Sequence, residues 1–211
     1  MPRTAPPTSG IHADARILPR AFYARDARVV GPALLNKLLV TGDGRAGRIL
    51  EVEAYRGADD AAAHSFRGRT ARNATMFGPG GHLYVYFTYG MHYCCNAVCG
   101  DVGEGTGVLI RALEPVAGLD AMRASRPRAR RDADLCNGPG KLTQALGIER
   151  RHDGADLVAG DQGIVILDDG TPPPRKPMAT PRIGIRHAAE LPWRWHVPGH
   201  AGVSKGPFFR G

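Results

Sequence analysis

The sequence predicts a single domain of mixed α and β structure. Three observations carry that expectation. The chain has 211 residues, within the span of one domain, and shows neither an internal repeat nor a clear linker. Apolar residues recur at helical spacing in one stretch and at strand spacing in several others. The 28 glycines and 17 prolines follow no period, which excludes a collagen-like fibre and predicts a loop-rich fold.

Residues 1–18, with Pro2, Pro6, Pro7, Ser9 and Gly10, are expected to form a flexible arm, leaving 19–211 as the domain. Pro19 to Val40 reads as helical, because Ala33, Leu34, Leu35, Leu38 and Leu39 share a helical face. A turn cluster at 42–47 precedes a strand from Arg48 to Tyr55. There Leu50, Val52 and Ala54 are expected on one face, and Ile49, Glu51, Glu53 and Tyr55 on the other. Residues 56–81 are mostly glycine-rich loop, of a length expected to be either functional or disordered. Leu83–Thr88 and Met91–Val98 alternate like two hairpin strands with a tip at Tyr89-Gly90. Gly107–Leu113 predicts a further strand and Leu119–Ser125 a short helix. Lys141–Leu146 predicts another helix, opened by Gly138-Pro-Gly140, and Val165–Leu167 a strand. The last 30 residues show no periodicity.

A net charge of +8 and a pI near 9.7 suit a polyanionic partner. Of 28 basic residues only Lys37, Lys141, Lys176 and Lys205 are lysines. Arginine pairs bidentately with phosphate, although a codon bias toward arginine gives the same count. Cys94, Cys95, Cys99 and Cys136 contain no C-x-x-C spacing, which argues against zinc, and they are expected to pack as small apolar side chains. No apolar run is long enough to span a membrane, and the first 20 residues lack the apolar core of a secretory signal. The expected address is cytoplasmic.

Several side chains could carry chemistry. Glu51 and Glu53, two apart on one strand face, stand roughly 7 Å apart. Such a pair can divide acid and base roles, or both can simply be solvated. Tyr55 shares their face. Tyr84 and Tyr86 are same-face neighbours, whether as an aromatic ladder or as a pocket wall. Tyr89 has little core to fill at a hairpin tip and could probe a partner as a wedge between bases. Asn96 is out of place in mid-strand. Arg111, in an apolar strand, needs an oxygen partner, and Glu51, Glu53 and Glu114 are candidates. Gly138-Pro-Gly-Lys141, with Arg69 and Arg72, could hold a phosphate, or could be a plain helix entry.

Taken in order, a set of strings is distinctive. These are Arg48-Ile-Leu-Glu-Val-Glu-Ala-Tyr55, Ala63-His-Ser65, Arg72-Asn73, Met76-Phe77-Gly78, Tyr84-Val-Tyr86, Tyr89-Gly-Met91, Asn96, Leu109-Ile-Arg-Ala-Leu-Glu-Pro115 and Gly138-Pro-Gly-Lys-Leu142. Together they resemble the alkyladenine (3-methyladenine, or methylpurine) DNA glycosylase family, over about Leu18 to Lys205. The resemblance implies an α+β fold: a single mixed domain with a curved antiparallel sheet, surrounding helices and a protruding hairpin that enters DNA. It implies monofunctional hydrolysis of the N-glycosidic bond of alkylated or deaminated purines in double-stranded DNA, by a monomer using no metal or cofactor.

By the same resemblance Glu53 is the base that activates water, and Arg111 positions it. Tyr55, His64 and Tyr86 wall the flipped base, and Ala62 meets its edge through the backbone. Asn96 crowds the 2-amino group of normal guanine. Tyr89 fills the hole left in the duplex, and Met76 lies near the DNA backbone. Phe66 and the run 78–81 depart from the family's loop between pocket and hairpin, His92 and Cys94-Cys95 stand where its members vary, and these positions bear on substrate range. Two rival classes stand beside this reading. One is a nucleoside or sugar hydrolase using the Glu51/Glu53 pair, and the other is a DNA-binding module without catalysis.

Overall fold

The structure is a computed structural model, which describes residue 11 and residues 14–88 and 90–204. Its frame is an antiparallel sheet with the strand order β1-β8-β2-β3-β6-β5-β4-β7. The strands are β1 (Arg16–Ile17), β2 (Leu38–Thr41), β3 (Ala46–Arg56), β4 (His82–Thr88), β5 (His92–Cys99), β6 (Thr106–Ala117), β7 (Ala155–Asp156), β8 (Ile164–Asp168), β9 (Met178–Thr180) and β10 (Arg194–His196). Among the described residues four short α-helices accompany them: α1 (Arg20–Tyr23), α2 (Ala27–Leu34), α3 (Leu119–Ser125) and α4 (Pro139–Leu146). The fold is α+β, a curved antiparallel sheet with few helices.

Period-two alternation explains how this sheet makes both a core and a site. Val52 and Ala54 of β3, Leu83 and Val85 of β4, Cys95 and Ala97 of β5, and Val108 and Ile110 of β6 join one core with Leu34, Leu35 and Leu142 of the helical layer. The intervening residues turn to the opposite face: Glu51, Glu53 and Tyr55; Tyr84 and Tyr86; Cys94 and Asn96; Leu109 and Arg111. The four central strands thus send their apolar residues one way and their polar and aromatic ones the other.

Four expectations are corrected. Leu38, Leu39 and Val40 form β2 rather than a helix. The strand is buried on both faces, Leu39 in the main core and Leu38 and Val40 in a second cluster, so its apolar run is continuous. Asn36, at φ 66°, breaks the chain direction after α2. The arm expected over 1–18 gives way to structure before residue 18. Arg16 and Ile17 pair with Asp168 and Leu167, and Ile11, Ala15 and Ile17 pack on the second cluster. Ile49 lies in the main core with Val52 rather than beside Glu51, because the β3–β6 register shifts between Ile49/Glu51 and Glu51/Val52. Such paired bulges re-aim side chains, here those of Glu51 and Arg111. Finally, the segment after residue 177 is not merely irregular. β10 pairs with both β9 and β3, setting Arg194 opposite Glu53 and His196 opposite Glu51.

Candidate active site

A cleft of about 310 Å³ opens on the polar face of the sheet, at the small end of the ~300–1,000 Å³ usual for ligand pockets. Tyr55, Ala62, His64, Met76, Tyr86, Asn96 and Arg111 all contribute to its wall, beside Cys94, Pro139 and Ile183. The expected residues therefore converge from β3, β4, β5, β6 and the 57–77 loop. Glu53 does not line the cleft itself. It is fully buried directly behind the wall.

Three groups hold Glu53 there. Tyr55 Oη donates to Oε2 at 2.8 Å, the Ile183 amide donates to Oε1 at 2.7 Å, and Arg111 Nη1 lies 3.2 Å from Oε1. All three partners are cleft residues. Burial, and then the Glu53 charge, push the Tyr55 phenol well above its ordinary range, so Tyr55 remains a donor. Burial alone would weaken the charge on Arg111. Glu53 and Glu51 more than offset it, raising its pKa.

Glu51 is placed differently. Its Oε1 accepts from Arg194 Nε at 2.5 Å, Arg111 Nε at 3.2 Å and Ser204 Oγ at 2.7 Å, while Oε2 accepts from the Ser204 amide at 2.7 Å. Four donors bind this carboxylate, and it lines no part of the cleft. Of the three acids that could partner Arg111, Glu51 and Glu53 share it. Glu114 lies instead 3.5 Å from His200.

The aromatic wall is layered. Tyr84 stacks on Tyr86 with centroids 5.3 Å apart, and the His64 ring meets Tyr86 edge-on at 4.4 Å. Burial, and then the cation of Arg72, lower the His64 pKa. Burial, with a hydrogen bond to Cys94, raises that of Tyr86. Neutral rings therefore face the cleft at neutral pH. The four cysteines are buried and free, as small-residue packing predicts. Asn96 is 4% exposed, and its Oδ1 is buried without a protein partner. An orphaned acceptor in a cleft wall is a place for a ligand to donate.

The loop bearing Ala62 and His64 is fixed from both ends. At Gly57, φ is 59° and a Cβ would collide with the Glu104 carbonyl oxygen, so only glycine fits. Farther on, the Asn73 amide donates to the His64 and Gly68 carbonyls, and its Oδ1 accepts from the Thr70 amide. On the far side of the cleft, Pro139 at the start of α4 completes the rim, and exposed Lys141 bonds Asn137.

Met76, expected near the DNA backbone, is 2% exposed and packed with Tyr84 and Val98, so it shows only to the cleft. Tyr89 lies outside the described residues. Sequence reasoning missed Asp60, Asn73, Arg182, Ile183, Arg194 and Ser204. A buried Arg111 called for oxygen partners, but nothing in the spacing pointed to the segment after residue 177. Among the described residues, no group of three or more His, Cys, Asp or Glu side chains could hold a metal ion. No helix there is long and apolar enough to cross a membrane.

Known proteins similar to this chain share most of its length. A protein from Burkholderia lata is 63% identical over 194 residues, 92% of this chain and 93% of its own length. One from Burkholderia cenocepacia is 61% identical over 202 residues, 96% and 95% of the two chains. One from Carboxydothermus hydrogenoformans is 46% identical over 193 residues, 90% and 99%. All three bear the name "Putative 3-methyladenine DNA glycosylase". The model of the methylpurine-DNA glycosylase family matches residues 21–201. The family is one of hydrolases acting on N-glycosyl bonds, and the chain belongs to the methylpurine-DNA glycosylase family.

Proposed function

We propose that this protein flips alkylated or deaminated purines out of duplex DNA into the cleft and hydrolyses their N-glycosidic bond with a water activated by Glu53. The observation that supports this most is the position of Glu53: a fully buried carboxylate whose three donors are all cleft residues. Its Oε2 carries one bond and keeps a second acceptor site for a water proton. A carboxylate oxygen in that position can take the water proton as general base. The water oxygen attacks C1′ of the deoxyribose, the C1′–N bond breaks, and its electron pair leaves with the purine.

A base in a duplex is out of reach, so extrusion must precede attack at the cost of unstacking. Tyr89, which follows β4 in the sequence, is the side chain we assign to the vacated space. Purines alkylated at N3 or N7 are cationic and leave readily, and a desolvated cation gains ~2 kcal/mol or more from an aromatic face. Neutral deaminated purines must gain a proton as they leave. Asn96, in the cleft wall with an unpartnered Oδ1, reads the edge of the base in this scheme.

The test uses duplex oligonucleotides carrying hypoxanthine, ethenoadenine or 3-methyladenine, with released base as the readout. Wild-type protein excises at least one of them, and Glu53→Gln binds the lesion without releasing base. Substantial excision by that variant refutes Glu53 as the base. The Glu51/Glu53 acid–base pair of a nucleoside hydrolase finds no support, because Glu51 is bonded four times and lines no part of the cleft. Release from free nucleosides but not from duplex would restore it. A DNA-binding module would be indifferent to Glu53→Gln.

A further inference from the structure

Tyr55 has a cation against its rear face. Arg182 Cζ lies 4.7 Å from the centre of the Tyr55 ring and 5.2 Å from that of Trp193. The Arg182 side chain is fully buried and forms no part of the cleft wall. It therefore covers the face of Tyr55 turned away from the cleft. Asp60, also fully buried, holds the guanidinium bidentately at 2.6 and 2.8 Å, and Arg182 Nη1 also donates to the Ala54 carbonyl at 2.9 Å. Arg182 Nε finds no oxygen or nitrogen partner. Asp60 in turn accepts from the Ala62 and Arg56 amides. One ion pair thus fixes both the ring that walls the cleft and the loop that supplies Ala62.

A cation on one face of an aromatic ring draws on the same quadrupole that a second cation would use on the opposite face. We propose that Arg182 sets the lesion preference of the cleft: by occupying the rear of Tyr55, it weakens that ring's hold on positively charged purines and leaves neutral purines relatively favoured. The inference rests on the glycosylase reading above. Arg182 touches no reacting atom and acts through Tyr55. Neutral purines stack on the ring without needing its negative face, so they lose little to the buried guanidinium. Asp60 tempers the cation, so the two residues should push lesion preference in opposite directions.

The experiment compares kcat/KM for a cationic lesion, 7-methylguanine or 3-methyladenine, with that for hypoxanthine in the same duplex. The double variant Asp60→Asn/Arg182→Met removes both charges and leaves no unpaired carboxylate in the interior. Its cationic-to-neutral ratio should rise roughly threefold to tenfold, the scale of one cation–π contact. Asp60→Asn alone leaves the guanidinium untempered and should lower the ratio. A structural role alone would slow both lesions equally, and an unmoved ratio in whichever variant folds overturns the proposal, as does a shift of the opposite sign. Wild-type protein that excises neither lesion overturns the glycosylase reading and this proposal with it. Excision of both at an unmoved ratio overturns this proposal alone.

Discussion

Glu51→Gln should unfold the protein far more easily than its small change in shape suggests. The carboxylate is fully buried, and four donors from Arg111, Arg194 and Ser204 converge on it. An amide has one acceptor oxygen. Placed to serve the three donors at Oε1, its NH₂ must face the Ser204 amide, and an orphaned buried donor costs about 1–3 kcal/mol. The charge matters more. Two guanidiniums, Arg111 and Arg194, are balanced here by two carboxylates, Glu51 and Glu53. Removing one partner of a buried ion pair costs about 3–5 kcal/mol. Against a usual total of about 5–15 kcal/mol, that is a large share. At about 2–4 °C per kcal/mol for a chain of this size, Tm should fall by roughly 6–20 °C. Urea unfolding followed by tryptophan fluorescence measures the free-energy loss directly, because Trp193 and Trp195 flank Arg194. A loss below about 1 kcal/mol, the value of an exposed pair, would refute the reasoning and mean that water reaches the carboxylate.

Burial lowers the pKa of His64, His152 and His196 from 6.5, so the unfolded chain binds more protons than the folded one below about pH 6.5. Stability should therefore drop as pH falls from 7 to 5, and urea midpoints that stay level or rise would contradict this. Asn96→Leu keeps the branched heavy-atom outline of the side chain but removes its orphaned acceptor. It should gain stability by about 1 kcal/mol while excision falls, and a loss of stability would show that the amide is satisfied from within. Duplex affinity should decline linearly on a log–log plot against salt as arginines displace counterions, and a flat response would exclude a DNA groove.

The sequence revealed the site's ladder better than its lid. Alternation in 48–55 and 83–98 put Glu51, Glu53 and Tyr55, and Tyr84 and Tyr86, on common faces, because one side of this sheet is apolar and the other is not. Ile49 escaped that reasoning because a bulge leaves no mark in the residue pattern, only in the register of the partner strand. Leu38–Val40 misled because a strand buried on both faces looks like part of a helix. The segment carrying Arg182, Ile183, Arg194 and Ser204 lacks periodicity altogether. Its strands are three residues each, and its bonds run 122 to 153 positions back along the chain.

During biosynthesis that segment emerges long after the acids it covers. The 153 positions between Glu51 and Ser204 take roughly 8–30 s to translate at about 5–20 residues per second. Throughout that interval both acids have left the ribosome while their closing segment has not. A nascent chain cut short there carries the rings and carboxylates of the cleft but lacks the Ile183, Arg194 and Ser204 donors that hold Glu53 and Glu51.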